Sequence, residues 1–498
     1  MATRKTSLAG RATLAVALMV GFYVLALAIC GVFVALCYFD LQSGRIHFKL
    51  WFVAAISIGV VVWSVWPRRA EFPDPGVPLT KADQPELWRM VEDVAQQCDQ
   101  EPPRQIFLVA EINAFVAERN GRLGFGGERI MGLGLPLMQV LTETELKSVI
   151  AHEFGHFHGG DTRLGPFIYK TREAIGRTVR NFAEAESLLG KPFEWYGKLF
   201  LRSTYGISRA QEFAADALAV QLVGLEPMQS ALRRVNEVGP LYDHYLEDEY
   251  FPVLNRGIRP PLAGGFDTFL DSEAMQKVQV EIGQGAMQAR GNPYDSHPPL
   301  PERLRAAAEV EDPGVAAAAG GPAVAILADI PTLEGRLLAF LTGSEDVRSV
   351  PAGSWADSGQ ALAVGWHQIA AEHGKKVPAV VAEDFVQAAE QLDSIATAFR
   401  KDLPRDQRKD AGAWLLGTLL GSALVRNGFE VQTAPGEPLD VVRQDAVFRP
   451  MTLAQELRDG KLEDGAWRQR CADAGIAGLV LSGPELPPFS DAETKLPE

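Results

Sequence analysis

Apolar residues run without a charge from Thr13 to Phe39, a length that crosses a bilayer with some tilt. After a short loop, a second apolar run extends from about Leu50 to Trp66, near the minimum spanning length. Trp51, Trp63 and Trp66 stand close to its ends, where indoles favour the membrane interface. The two runs predict a transmembrane helical hairpin. A cleavable signal peptide fits the first run poorly, because the stretch is too long and no small-x-small site ends it. Arg4, Lys5 and Arg11 precede the hairpin and Arg68 and Arg69 follow it, against Arg45 and Lys49 in the loop. That bias directs both ends, and the chain beyond, to the cytoplasm.

Past the stiff connector from Glu71 to Gly76 the pattern becomes that of soluble elements. Ile106-Phe107-Leu108-Val109 reads as a buried strand. Thr142-Glu143-Thr144-Glu145 has the S/T-x-x-E form of a capping box, and Leu146, Val149 and Ile150 follow it. A helix is predicted from Glu143 to about His158. Arg209 to Leu222 is alanine-rich without Gly or Pro and predicts a buried helix. The tract Pro313 to Pro322 reads as a mobile insertion. Further on, Ala413 to Val425 reads as a core helix too short to span a bilayer. Gly428 to Val431 and Leu439 to Val442 read as strands around the turn Pro435-Gly436. Trp467 to Ala477 reads as a helix, with the strand Gly478 to Leu481 after it. The expected organisation is a membrane hairpin at residues 1–69, a soluble unit at 70–345 and a small α+β accessory domain at 346–498. The accessory domain could recruit substrate, gate a cleft or mediate oligomerisation.

Ala151 to His156 contains H-E-x-x-H within the first of these helices. His152 and His156 are one turn apart on one helical face, so two imidazoles can bind one zinc ion. Glu153, beside the first imidazole, can take a proton from a zinc-bound water. About 55 residues downstream, Glu212 and Asp216 share one face of the alanine-rich helix. Carboxylates on an apolar helix need a cation or a donor, and a metal with its imidazole supplies both. Glu212 is the predicted third ligand, giving the two-His, one-carboxylate set of thermolysin-like catalytic zinc. Asp216 is predicted to accept the free N–H of a ligating histidine and fix its tautomer. The ordinary alternative is a salt-bridged helix in which Glu212 or Asp216 pairs with Arg209 or another base. His158 points away from the ligand face, and His47, His244, His367 and His373 fall in no metal-like arrangement.

Over roughly residues 80–310 the chain resembles the membrane zinc metallopeptidases that include the HtpX heat-shock protease and the CAAX prenyl protease. Glu145 to His156 is similar to that family's "E-L-x-x-V-x-A-H-E-x-G-H" helix. Ser208 to Asp216 is similar to its "S-R-x-x-E-x-x-A-D" helix, whose Glu, matching Glu212, is the third zinc ligand. Asn113-Ala114-Phe115 resembles an "N-A-F" element at the edge of the cleft, where an extended strand can pair with a substrate backbone. Ser296-His297-Pro298-Pro299, followed by Arg303, resembles an "H-P" block whose His and Arg bind substrate and stabilise the transition state. The resemblance implies a zincin-like gluzincin: a mainly α catalytic domain with a small edge β-sheet and one zinc per chain. No bilayer-length apolar run fits between Gly159 and Ser208, where the heat-shock protease pattern has further spans.

A net charge of -15 argues against a general nucleic-acid binder. Cys30 and Cys37 fall in the first span, while Cys98 and Cys471 lie far apart, so no disulfide framework is evident. The reading is a zinc metalloendopeptidase of the cell (inner) membrane, multi-pass, with its catalytic domain facing the cytoplasm. Its expected partners are membrane lipid along the hairpin and protein or peptide substrates, misfolded or membrane-proximal. One alternative is a dedicated processing protease with a single substrate. Another is a non-catalytic zinc-containing scaffold, against which an intact Glu153 counts, since a structural site needs no base.

Overall fold

The computed structural model describes residues 8–44, 46–65, 73–119, 127–157, 175, 176, 178, 190–291, 297–314 and 320–494. Across them the chain is mostly helical and divides into two compact units, Met1–Glu237 with Ile282–Ala328 and Val238–Glu281 with Asp329–Glu498. The second unit thus draws on two stretches of chain, where the sequence reading set a single boundary at 345.

The first unit begins with α1 (Leu8–Gln42) and α2 (Phe48–Val65). Val16–Gln42, within α1, is the one helix among the described residues long and apolar enough to cross a membrane. The apolar part of α2, Phe48–Trp63, is shorter. Between the two helices Asp40 accepts hydrogen bonds from the His47 backbone at 2.9 Å and the Trp51 indole at 3.1 Å. Leu27, Phe39 and Phe52 are about 70% exposed, apolar surface that water does not tolerate on this scale.

After β1 (Val77–Leu79) comes α3 (Pro85–Gln97), with Pro85 in the first turn, where its missing N–H costs nothing. Leu87, Met90, Val91 and Val94 recur at helical spacing and are buried. The Trp88 indole donates to Leu79 O at 3.0 Å and ties α3 to β1. β2 (Gln105–Val109), β3 (Ala114–Arg119) and β4 (Glu128–Gly134) complete a four-stranded sheet in the order β1-β2-β4-β3. β2 and β4 are its parallel central pair and are buried almost throughout, as parallel strands covered on both faces should be. β3 runs antiparallel to β4 and forms an edge of the sheet. Gly134 closes the end of β4, where a Cβ would strike the carbonyls of Glu111 and Asn113. Among the described residues the helices α4 (Leu135–Val140), α5 (Glu143–Gly155), α6 (Gly190–Val223) and α7 (Leu225–His244) follow. Helix Leu300–Ala308 returns to this unit.

In the second unit the helix Arg405–Arg426 is central, with Leu415, Leu416, Leu419 and Leu420 almost wholly buried among Trp366, Phe385, Phe429 and Trp467. Its small sheets are the three-stranded Glu430–Gln432, Asp440–Arg443, Ala446–Phe448 and the two-stranded Val380–Val381, Val480–Ser482. An aromatic cluster of Tyr242, Tyr245, Tyr250, Phe266, Phe269 and Trp355 fills the rest.

Candidate active site

The capping box at the start of α5 is complete. Glu145 N donates to Thr142 Oγ1 at 3.3 Å, and Thr142 N donates to Glu145 Oε2 at 2.8 Å. A returning strap fastens this corner: Glu143 N donates to Gly321 O, and Ala323 N donates to Leu141 O, each at 2.9 Å. Gly320 to Pro322, expected to be mobile, is therefore pinned; residues 315–319 lie outside the described residues. α5 ends at Gly155, earlier than the expected His158, and His158 itself lies outside the described residues.

α5 and α6 meet where Gly155 faces Ala215. A Cβ at 155 would lie 2.6 Å from Ala215 Cα, so only glycine allows the helices this close. Across that contact, Glu212 Oε2 is 3.7 Å from His152 Nε2 and Glu212 Oε1 is 3.7 Å from His156 Nε2. The two imidazole rings stand edge to face with centroids 4.8 Å apart. Asp216, fully buried, lies 2.9 Å from His152 Nδ1, which turns the Nε2 of that ring toward Glu212 and His156. Arg303, from the helix Leu300–Ala308, grips Asp216 with two hydrogen bonds, Nη2 to Oδ1 at 2.6 Å and Nε to Oδ2 at 2.9 Å. Arg209 pairs instead with Glu302, so it is not the partner of Glu212 or Asp216.

The electrostatics follow from burial and these contacts. Burial holds the Glu153 carboxyl above its ordinary range, opposed by His152. Burial and the neighbouring His152 push His156 down to about 4, so its lone pair is free at neutral pH. Burial would raise Asp216, but the bonds from Arg303 and His152 outweigh it and bring it to about 2. Burial likewise opposes ionisation of Glu212, and His297, His152 and Arg303 more than compensate.

The group fits a metal. Among the described residues, His152, Glu153 and His156 form the one cluster of three metal-capable side chains. Glu212 Oε2 is buried and makes no well-formed hydrogen bond, with only His297 Nδ1 at 3.0 Å and Arg303 Nη1 at 3.7 Å near it as cationic groups. Such an atom is costly unless something cationic engages it. Tetrahedral bonds to zinc of about 2.0–2.1 Å put donor atoms about 3.3 Å apart, close to the 3.7 Å found here.

A cleft of about 320 Å³ opens beside His152 and Glu153. Asn113 and Ala114, at the start of β3, line it, as do His297 and Arg303. Phe115 does not: its ring packs over Gly132 with Phe107, Val109 and Ile130. Strand alternation turns it away from Ala114, so its predicted contact with substrate is corrected to one of packing. Arg303 is committed to Asp216 and is only 13% exposed, whereas His297 is 62% exposed. Sequence reasoning missed α7, whose Met228, Ala231, Leu232 and Val235 form one wall of the cleft. Their i, i+3, i+4, i+7 spacing was the available signal.

Residues 81–311 match the model of peptidase family M48. A protease HtpX homolog of Archaeoglobus fulgidus is 24% identical over 236 residues, covering 44% of this chain and 66% of its own. Protease HtpX of Pectobacterium carotovorum is 30% identical over 179 residues, covering 30% of this chain and 58% of its own. Protease HtpX of Xanthomonas campestris is 26% identical over 247 residues, covering 45% and 72%. The chain thus spans less than two thirds of the first two relatives' length. No solved structure matches. Residues 81–311 are thus similar to the HtpX-like metallopeptidases of family M48.

Proposed function

We propose that the chain is a zinc-dependent endopeptidase of gluzincin type, anchored in the membrane by the α1–α2 hairpin with its catalytic domain on the cytoplasmic side. The observation that carries this reading is the convergence of His152 Nε2 and His156 Nε2 on the Glu212 carboxylate, each 3.7 Å from one of its oxygens. These three side chains would hold the zinc, with Asp216 fixing the His152 tautomer and Arg303 fixing Asp216. When bound, zinc supplies Lewis acidity, acidifying a water and polarising the scissile carbonyl.

Glu153 does the proton work. Burial raises its carboxyl toward the range where a carboxylate accepts a proton efficiently, so it takes one from the attacking water. It returns that proton to the departing amine as general acid. The substrate backbone would lie along the edge strand β3, with Asn113 at its start as a hydrogen-bonding group. His297, at the mouth of the cleft, is exposed enough to swing toward the developing oxyanion. Substrates on this reading are misfolded or membrane-proximal proteins within reach of the anchor.

The test is hydrolysis of an unfolded model protein by the zinc-loaded chain beside Glu153→Gln, after both are shown to hold equal zinc. Cleavage by the parent alone supports the reading and identifies the base. Equal cleavage by both, or by neither, removes it.

A further inference from the structure

The second unit holds a cavity of about 350 Å³, and every residue around it belongs to that unit. Helix Arg405–Arg426 forms one side through Leu419, Ser422 and Ala423. Leu486, Pro487 and Phe489 form another. Arg426 ties that second side down. It donates from Nη1 to Pro487 O at 3.2 Å and from Nη2 to Pro488 O at 2.8 Å, and its guanidinium lies 4.1 Å from the centre of the Phe489 ring. Its Nε also pairs with Glu493 at 2.8 Å. The space is therefore built in advance, and its one charged residue is already neutralised.

The third side is the edge of a strand. Gly478, Leu479, Val480 and Leu481 meet the cavity in succession. Side chains along a strand alternate between its faces, so a surface touched by consecutive residues runs along an edge. Val480–Ser482 pairs by its other edge with Val380–Val381, and neither of those valines lines the cavity. Ala382 N donates to Leu479 O at 2.9 Å, flanking the Val381–Val480 pair. A bond in that position marks a non-hydrogen-bonded pair, whose own N–H and C=O groups point away from the partner strand. Val480 thus turns both groups to the cavity side. No third strand covers that edge among the described residues.

An open edge of this kind is a template for one more strand. Leu419, Ala423 and Leu486 beside it offer an apolar side chain a matching surface, whereas a charged one would be desolvated without a partner. We infer that the cavity is a peptide-binding site. An extended segment of another polypeptide pairs with Val480 N–H and C=O and lodges one large apolar side chain against those three residues. Folded proteins bury such segments and unfolded ones expose them. Among the roles open to the accessory domain this one is recruitment, and it stands on the second unit alone, independent of the zinc site.

The probe is a fluorescein-labelled peptide of sequence Lys-Thr-Val-Thr-Phe-Thr-Val-Thr-Lys, kept extended by its β-branched residues. Its binding to the full chain, in detergent and without zinc, is followed by fluorescence anisotropy. Aspartate in place of the central phenylalanine should weaken binding at least about 10-fold. Val480→Pro removes the N–H that the peptide needs and no bond to the partner strand, the one setting in which a strand tolerates proline. It should also weaken binding at least about 10-fold, while Val480→Ala, which keeps the N–H, should bind like the parent. Methylating one central peptide amide should cost a similar factor and methylating its neighbour little, the alternation that an added strand imposes. That pair keeps the test open where the proline variant fails to fold. No binding by the parent, affinity unmoved in a folded Val480→Pro chain, or the same effect from both methylations would overturn the site. Hydrolysis of unfolded protein, present or absent, bears on the endopeptidase reading and not on this one.

Discussion

Gly155→Ala adds one methyl group where α5 crosses α6. The new Cβ would lie 2.6 Å from Ala215 Cα and 2.9 Å from Ala215 Cβ. Carbon atoms pack best near 3.5–4.0 Å, so the helices must part by about 1 Å. The obstacle is backbone and cannot rotate away. Overpacking of this kind costs about 1–3 kcal/mol, while replacing a helical glycine by alanine returns about 0.5–1 kcal/mol. The net expectation is a loss of about 1–2 kcal/mol. The parting also separates the proposed ligands, because His152 and His156 ride on α5 and Glu212 on α6. Donors already 3.7 Å apart move further from the spacing a tetrahedral ion requires. Zinc affinity should fall about tenfold, equivalent to about 1.4 kcal/mol. Thermal unfolding of the zinc-free chain measures the first effect, and competition with a chelating dye the second. Gly285→Ala is the control: it sits exposed in the helix Glu273–Gln288 with nothing within 4 Å of its virtual Cβ. It should gain about 0.5–1 kcal/mol and leave zinc affinity alone. A Gly155→Ala chain that melts no lower than the parent and binds zinc equally well would refute the argument.

Two further perturbations separate the site from the second unit. Asp216→Asn leaves Arg303 without its bidentate carboxylate, so zinc affinity should drop about 10–100-fold and stability by about 3 kcal/mol; unchanged dye competition and melting would show that Asp216 positions nothing. Glu249, half-buried in the second unit, has its carboxyl pushed up to about 7 by burial, against the ordinary 4.5. The native state therefore holds more protons between those values, and stability falls as pH rises from about 4.5 through about 7, by up to about 3 kcal/mol. Glu249→Gln should melt like the parent near pH 5 and above it at pH 8, and parallel pH profiles for the two chains would exclude this burden.

Much of the site was legible because its signals are local. The capping box, the two histidines one turn apart and the carboxylate pair Glu212 and Asp216 each follow from helical geometry within a few residues. What could not be read depends on contacts between distant segments. Asp216 is held by Arg303, 87 residues away, and the family motif suggested substrate binding for that arginine. β4 was passed over because Gly132 and Gly134 weaken its strand signal. Gly132 is there because the Phe115 ring occupies the space a Cβ would need, and the same ring packing keeps Phe115 from the cleft. The second unit's claim on Val238–Glu281 was equally hidden, since nothing in that stretch announces that Tyr245 and Tyr250 will pack against Trp355.

α6 shows how the two kinds of information meet in one element. Its C-terminal half was found from its carboxylates, and its N-terminal half lies in the stretch from Gly159 to Ser208 where no bilayer-length apolar run fits. Glu194 and Lys198 pair with each other at 2.5 Å on an exposed face. The opposite face carries Phe193, Tyr196 and Phe200 at helical spacing, and these pack on α1. Phe22 meets Phe193 edge to face at 6.0 Å, and Tyr196 donates to Leu18 O at 2.5 Å. Phe200 and Glu212 are separated by about 18 Å of continuous helix, which includes Gly206. The apolar N-terminal helix, a candidate anchor, thus packs on the same helix that carries Glu212 further along its length.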